Sequence, residues 1–165
     1  MLLRVADLLE ARNGPLVVVL GDGPGRDALR GRGSNLRWLG LVDDQTYAAV
    51  VSSALAGVVA LVASVSDSVM PSKLVGYLAA GTPVVVAAAP DTEAARVVRQ
   101  IDCGIVVSPG DAEQLADAVC RLFRDPTLSP TLGQRGKVYA NMHWNRGAAV
   151  DAVEGALLGL QTGAL

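Results

Sequence analysis

The chain has few aromatic residues, few cysteines and no excess of charge of one sign. Aromatic residues make up 4% of its 165 residues and hydrophobic residues 51%, so the core must consist mainly of Val, Leu and Ala. Cys103 and Cys120 have neither the number nor the spacing of a disulfide framework or a zinc site. The formal net charge is -2 without a cluster of Lys and Arg, which argues against a nucleic-acid partner. This composition excludes a disordered chain or a disulfide-stapled miniprotein, and without a signal-peptide pattern it predicts a cytoplasmic protein.

One uncharged stretch, residues 45–66, is as long as a membrane span. It contains several Ser residues and has no flanking Lys or Arg, which membrane-spanning helices usually have. We therefore interpret it as a helix, a break at residues 53–57 and a buried strand, and predict no transmembrane segment.

Five short apolar runs without alternation predict strands that are buried on both faces. They are residues 16–20, 36–40, 57–62, 83–88 and 104–107. The segments between them carry helix signals, such as the N-cap Asp111 with Gln114 completing a capping box. The alternation predicts an α/β fold, a Rossmann-like doubly wound parallel sheet of about five strands flanked by helices.

We predict a single domain over residues 1–165, with a core at 1–125 and a helical tail at 126–165. The tail has a seam at His143 and Trp144, followed by a last helix at residues 146–160 with an apolar stripe. We interpret His143, the only histidine, as structural.

Two loops follow predicted strands, where ligands bind in open parallel sheets. The first contains Gly21 and Gly23, whose spacing is half of a dinucleotide fingerprint or simply a tight strand-to-helix turn. The second leads into Pro71-Ser72-Lys73, where Pro71 predicts a helix start that leaves the amides of Ser72 and Lys73 without acceptors. A cation at this end of a helix is unfavourable unless an anion offsets it, so the pattern fits a diphosphate site or, alternatively, a solvated lysine.

Six segments, in this order and spacing, together resemble the C-terminal half of GT-B fold glycosyltransferases of family 4, also called glycosyl transferases group 1. They are GDGP at 21–24, LRWLG at 36–40, PSK at 71–73, YLAAGTPVV at 77–85, GIVV at 104–107 and PGD at 109–111. The resemblance implies transfer of a sugar from a nucleotide diphosphate sugar to an acceptor hydroxyl, with retention of configuration and with neither a metal nor another cofactor. The C-terminal domain in that family binds the nucleotide-sugar.

The resemblance also implies which residues contact the donor, although it identifies no catalytic residue. It places Lys73 and the amides around Ser72 at the diphosphate, and the loops at Gly21, Gly23 and Gly40 beside the nucleotide.

The sequence departs from the family pattern at two glutamates, which are here Ser68 and Gly76. Gly76 removes a carboxylate that contacts ribose hydroxyls in the family. Asp67 or Glu93 could replace part of that contact; the alternative is that both are solvated loop or helix-cap carboxylates.

The chain is also shorter than the family enzymes and lacks their acceptor-binding N-terminal domain and the first strand of the C-terminal domain. An open gap in the sheet would bury unpaired backbone groups. We therefore expect either a closed sheet of order 2-1-3-4-5 or a strand supplied by another chain.

These departures leave two main functions open. One is the nucleotide-sugar-binding half of a retaining glycosyltransferase, in the cytoplasm or at the inner face of the membrane, which needs a missing acceptor-binding domain or second chain for activity. The other is a non-catalytic interaction module or decayed paralogue. A sugar-nucleotide epimerase is a weaker alternative, since its carboxylate and histidine pattern is absent.

Overall fold

The computed structural model describes residues 1–29, 35–61, 70–145 and 147, in which strands alternate with helices. The strands are β1 (Val17–Leu20), β2 (Leu36–Gly40), β3 (Gly57–Ala60), β4 (Val84–Ala87) and β5 (Gly104–Val107). The helices are α1 (Leu2–Ala11), α2 (Arg26–Leu29), α3 (Asp44–Ser53), α4 (Ser72–Ala80), α5 (Glu93–Ile101), α6 (Ala112–Arg124) and α7 (Leu128–His143). All five predicted strands are confirmed, with ends that differ by no more than two residues.

The strands form two parallel groups. Strand β1 pairs with β2, and β4 pairs with β3 on one side and β5 on the other. The predicted doubly wound α/β class is therefore confirmed. The closed order 2-1-3-4-5 is wrong, because β1 and β3 are not hydrogen-bonded neighbours in the described part of the chain. The alternative, a strand from another chain, stays a prediction.

The core lies on both faces of β4. Val84 and Val86 face a cluster that includes residues of α4 and α5, whereas Val85 and Ala87 face a cluster that includes residues of α1 and α6. All four side chains are 0% exposed. Such an unalternated apolar strand is what a sheet covered by helices on both faces requires.

Side-chain caps set the starts of three helices. Asp43, Thr92 and Asp111 accept hydrogen bonds from backbone N–H groups in the first turns of α3, α5 and α6. The N-cap predicted at Asp111 is confirmed, because Gln114 donates its backbone N–H to the side chain of Asp111. The reciprocal bond of a capping box is not made: the side-chain oxygen of Gln114 accepts from the N–H of Ser108, and the N–H of Asp111 donates to the carbonyl of Ser108.

The uncharged stretch 45–66 does not form one continuous helix. Helix α3 ends at Ser53 and β3 begins at Gly57, as the sequence predicts. Within the described ranges, the helices lack the length and the apolar character that crossing a membrane requires.

The first tail helix is also confirmed: α7 ends at His143 with Trp144 as its C-cap. The second predicted tail helix, at residues 146–160, falls almost entirely outside the described residues.

Candidate functional site

The predicted site residues lie at one edge of the parallel strands. Gly21 follows β1, Gly40 ends β2, α4 begins in the connection after β3, and α5 begins after β4. Because parallel strands direct their carboxyl ends to the same side, this edge is where an open α/β sheet binds ligands.

Gly21 and Gly40 are in direct contact. The N–H of Gly21 donates to the carbonyl of Gly40 at 2.7 Å, and the indole Nε1–H of Trp38 donates to the carbonyl of Gly21 at 2.9 Å. Both glycines have positive φ, 106° and 72°, a region that other residues rarely adopt. The structure therefore brings the two predicted loops together, and Trp38 fixes the turn, a role that the sequence did not reveal.

Gly23 has its amide already engaged. Its N–H donates to the side chain of Asp22 at 2.8 Å, and Asp22 also pairs with Arg26 at 3.3 Å. Apart from its two chain neighbours, no atom of the described ranges lies within 4 Å of the position that a Cβ on Gly23 would occupy. These local interactions of Asp22 support the interpretation of this loop as a tight turn. A contact between Gly23 and a nucleotide stays a prediction.

Helix α4 begins with Pro71, Ser72 and Lys73 at the surface. Pro71 is the N-cap, with no side-chain cap bond, and Leu74 N–H bonds back to Pro71 at 2.9 Å. Ser72 and Lys73 are exposed, and among the described residues their backbone N–H groups have no acceptor. Within the described ranges, two donors at the positive end of a helix are therefore left to an anion.

The electrostatics of α4 differ from those of the other helices at this edge. Helices α3, α5 and α6 each carry a capping side chain and an acidic residue in the first turn. Helix α4 has neither, and its second residue is Lys73. Neither the first turn nor the N-cap of α4 therefore supplies a negative charge that would reduce the positive potential at this helix start.

Close packing holds α4 in place. Leu74 and Leu78 are 0% exposed in the core. The ring of Tyr77 lies against Gly57 of β3, at a position where a Cβ would overlap it. Burial raises the pKa of Tyr77 above its usual value. The amides of Ser72 and Lys73 thus lie on a helix that its side chains fix to the sheet.

The C-terminal end of α4 is fixed as well. Gly81 has φ 81° at the helix end, and the N–H of Thr82 bonds to the carbonyl of Tyr77 at 2.9 Å. The buried hydroxyl of Thr82 donates to the carbonyl of Val51 in α3 at 2.7 Å. Helix α4 is therefore tied to both β3 and α3.

Glu93 is the first residue of α5 and pairs with Arg96 at 3.2 Å. It follows the N-cap Thr92, so its carboxylate stabilises the start of the helix. This geometry favours the cap interpretation, and a contact with a ribose stays a prediction. Asp67 and Ser68 lie outside the described residues.

Gly76 leaves open space on α4. The nearest atom to the position of a Cβ is the hydroxyl of Tyr47 in α3, at 3.8 Å. Tyr47 is 39% exposed. The sequence did not single out Tyr47 at this place, because only the packing of α3 against α4 brings the two residues together.

Other reactive groups offer no second catalytic site in the described part of the chain. Burial raises the pKa of the Cys103 thiol to about 12, so it is not a nucleophile near neutral pH. His143 lies 4.4 Å from the ring of Tyr139, centroid to centroid. The described residues contain no group of three metal-ligating side chains. A concavity beside Arg12, Asp117 and Arg121 lies between α1 and α6, away from the loops that follow the strands.

The strand order, the flanking helices and the polar loops at one edge define an α/β protein of Rossmann-like architecture. The model of the family Glycosyl transferases group 1 matches residues 1–125, and the chain belongs to this family. The family resemblance of the sequence is thereby confirmed. No curated protein matches the chain.

Two solved structures share the fold. Sucrose-phosphate synthase from Thermosynechococcus elongatus matches with a TM-score of 0.75 and 21% identity, over 99% of this chain and 42% of that protein. WaaG, a glycosyltransferase involved in lipopolysaccharide biosynthesis, matches with a TM-score of 0.63 and 20% identity, over 84% of this chain and 37% of WaaG. The chain therefore spans less than half the length of either protein.

Proposed function

We propose that this chain is the nucleotide-sugar-binding half of a retaining glycosyltransferase. The observation that carries the proposal is the exposed start of α4, where the amides of Ser72 and Lys73 have no acceptor among the described residues. Family membership and the likeness to two sugar-transferring proteins support the same donor class.

The proposed chemistry is stabilisation of a leaving diphosphate. The amides donate hydrogen bonds to phosphate oxygens, and the ammonium of Lys73 offsets the charge that develops as the glycosidic bond to the donor breaks. The acceptor hydroxyl would attack the anomeric carbon on the face from which the diphosphate leaves, and its proton would pass to the departing phosphate oxygen. We assign no metal to this step, and we place the acceptor site on a second domain or chain.

Binding of a nucleoside diphosphate tests the proposal directly. Titration calorimetry with UDP, GDP and ADP should detect binding of at least one of them at millimolar concentration or below. The variant Lys73→Ala should weaken this binding by about tenfold or more, since a charge-assisted hydrogen bond contributes about 1.5–3 kcal/mol.

Lys137→Ala is the matched control. Lys137 lies on α7 against Gly81, at the opposite end of α4, so the variant removes an equal charge without touching the helix start. Equal losses in both variants, or no binding of any diphosphate by the unaltered chain, would contradict the proposed site.

A second candidate function is a non-catalytic interaction module that keeps the fold. Gly76 favours it, because the place where the family carries a carboxylate is open beside Tyr47. Gly76→Glu separates the two functions: a donor-binding half should gain affinity for the nucleoside diphosphate, since the space accommodates a side chain. A module without a nucleotide site should bind none in either form.

A further inference from the structure

An open concavity lies at the edge of the sheet opposite the candidate functional site. Helix α6 starts after the carboxyl end of β5 and packs along the sheet, and α1 leads into the start of β1. The C-terminal ends of both helices therefore lie at the edge where the strands begin. The concavity has a volume of about 490 Å³ and lies at these helix ends. With 13 residues, α6 is about 20 Å long, so a ligand there is far from the start of α4.

Arginine side chains dominate the charged lining of this concavity. The lining residues are Arg12, Asp117, Cys120, Arg121, Arg124 and Asp125. Three guanidinium groups and two carboxylates leave the lining with a net charge of +1, whereas the whole chain has a formal net charge of -2. The concavity is therefore locally positive in an acidic protein, which favours an anionic ligand.

Arg12 is held in a fixed position across the end of α1. One terminal nitrogen of its guanidinium donates to Asp117 at 3.0 Å, and the other donates to Glu113 at 2.5 Å. The side chain of Arg12 is 26% exposed. The two carboxylates of α6 thus orient this guanidinium, and the charge of Asp117 is offset by the pair.

Asp125, the second carboxylate of the lining, is engaged by the start of α7. One of its oxygens accepts from the N–H of Thr127 at 2.9 Å, from the hydroxyl of Thr127 at 2.7 Å and from the N–H of Leu128 at 3.2 Å. The hydrogen bonds from Thr127 and, to a smaller extent, the charge of Arg121 lower the pKa of Asp125. The carboxylate therefore stays ionised and serves mainly to cap α7.

Arg121 and Arg124 have no such partners. Both lie in the last turn of α6 and are exposed. Over the ranges that the structure describes, neither forms a hydrogen bond or a salt bridge, although Arg121 attracts Asp125 at longer range. Residues three apart on a helix are neighbours on its surface, and each guanidinium has five N–H donors. The concavity thus has two adjacent guanidinium groups whose donors are free to bind a ligand.

Stabilisation of α6 is a competing explanation for these two arginines. Cations in the last turn of a helix interact favourably with the helix dipole. Arg99 has the equivalent position in the last turn of α5, and it donates to the carbonyl of Pro90 at 2.7 Å. The dipole explains a basic residue at each helix end, but it does not require that two of them line a concavity with a third arginine.

We propose that this concavity binds a phosphate group between the guanidinium groups of Arg121 and Arg124, with Arg12 as a third positive charge. The planar fork of a guanidinium matches two oxygens of a phosphate, so two arginines bind all the oxygens of the group that face them. The volume is many times that of a water molecule, about 30 Å³, and therefore accommodates inorganic phosphate or a phosphate monoester.

The test follows the arginine Nε–Hε signals of the full chain by NMR during a titration with inorganic phosphate. The chain carries Lys73→Ala, which weakens the site proposed at α4. The signals of Arg121 and Arg124 should shift and saturate at millimolar phosphate, whereas sodium chloride at the same ionic strength should not reproduce the shifts. Because the sites lie at opposite edges, phosphate binding here with no nucleoside diphosphate binding would contradict the proposed function alone.

Three variants separate the phosphate site from a general effect of charge. Arg121→Gln combined with Arg124→Gln should weaken phosphate binding by about tenfold or more, since two charge-assisted contacts are lost. Arg121→Lys combined with Arg124→Lys keeps both charges without the forks and should retain only part of the affinity. Arg99→Gln is the matched control: it removes a cation from the last turn of α5 and should leave phosphate affinity unchanged.

Methyl phosphate distinguishes the two sources of the phosphate group. Tighter binding of methyl phosphate than of inorganic phosphate identifies a phosphate monoester as the ligand, and tighter binding of inorganic phosphate identifies the free ion. Either result supports the site.

Three results would overturn the proposal. The first is the absence of saturable shifts at Arg121 and Arg124. The second is an equal loss of phosphate affinity in Arg99→Gln and in the double Gln variant, which would indicate non-specific attraction. The third is a double Gln variant that has a lower Tm but unchanged phosphate affinity, which would limit the two arginines to stabilising α6.

Discussion

The contact between α7 and the end of α4 can be tested with the substitution Gly133→Ala. A Cβ on Gly133 would overlap the backbone carbonyl oxygen of Gly81 and lie 3.2 Å from Cδ of Pro83. Neither atom can move by a rotamer change, so α7 or the turn after α4 must shift as a unit.

Two opposing effects set the size of the change. Overpacking costs about 1–3 kcal/mol, and about 2–3 kcal/mol here because the overlap is with backbone, whereas Ala in place of Gly inside a helix gains about 1 kcal/mol. We expect the free energy of unfolding to fall by about 1–2 kcal/mol, which lowers Tm by about 2–8 °C in a chain of this size. Any shift of α4 would also move the amides of Ser72 and Lys73, so the proposed function predicts a lower nucleotide affinity in the folded variant.

Gly136→Ala in the same helix is the matched control. Its Cβ would meet the terminal methyl Cδ2 of Leu78 at 2.7 Å and Cβ of Cys103 at 3.3 Å, with only side-chain atoms among these nearest contacts. A small shift of a terminal methyl costs less than a backbone overlap, so the loss of stability should be smaller than in Gly133→Ala. Urea unfolding followed by circular dichroism measures both variants. A Gly133→Ala protein at least as stable as the unaltered chain would refute the close approach of the two helices.

Two further predictions concern side chains that hold α3. Hydrogen bonds from Thr46 lower the pKa of Asp43, so Asp43 stabilises the fold at pH above about 4 and loses this effect as the pH falls through its folded pKa. Asp43→Asn should keep the helix cap but make Tm fall less steeply with decreasing pH below about 4. An unchanged fall of Tm in the variant would contradict a stabilising role of the Asp43 carboxylate. Thr82→Val should destabilise by about 0.5–1.5 kcal/mol in urea unfolding, because the carbonyl of Val51 loses the hydroxyl donor and keeps only the N–H of Ala54, whereas Thr82→Ser should retain most of the stability.

The sequence predicted the layers of the fold because its signals there are local. Unalternated apolar runs mark β1 to β5, and the cap Asp111 marks the start of α6. Each signal depends on neighbours within a few residues, so no tertiary information is needed to detect it.

The candidate site could be predicted only in part. The uncapped start of α4 follows from Pro71 and Lys73 in the sequence. Two contacts at the site could not be predicted: Trp38 bonds to Gly21, and Tyr47 lies beside Gly76. The residues in each contact are far apart in the chain or on different elements. Sequence spacing carries no signal for such contacts.

The sequence by itself determined the α/β alternation, the family and the exposed helix start with its lysine. Only the tertiary structure decided that, among the described strands, β1 and β3 are not paired with each other. The physical reason is that strand patterns report burial along the chain, whereas the pairing of edges depends on which strands the packed helices bring side by side.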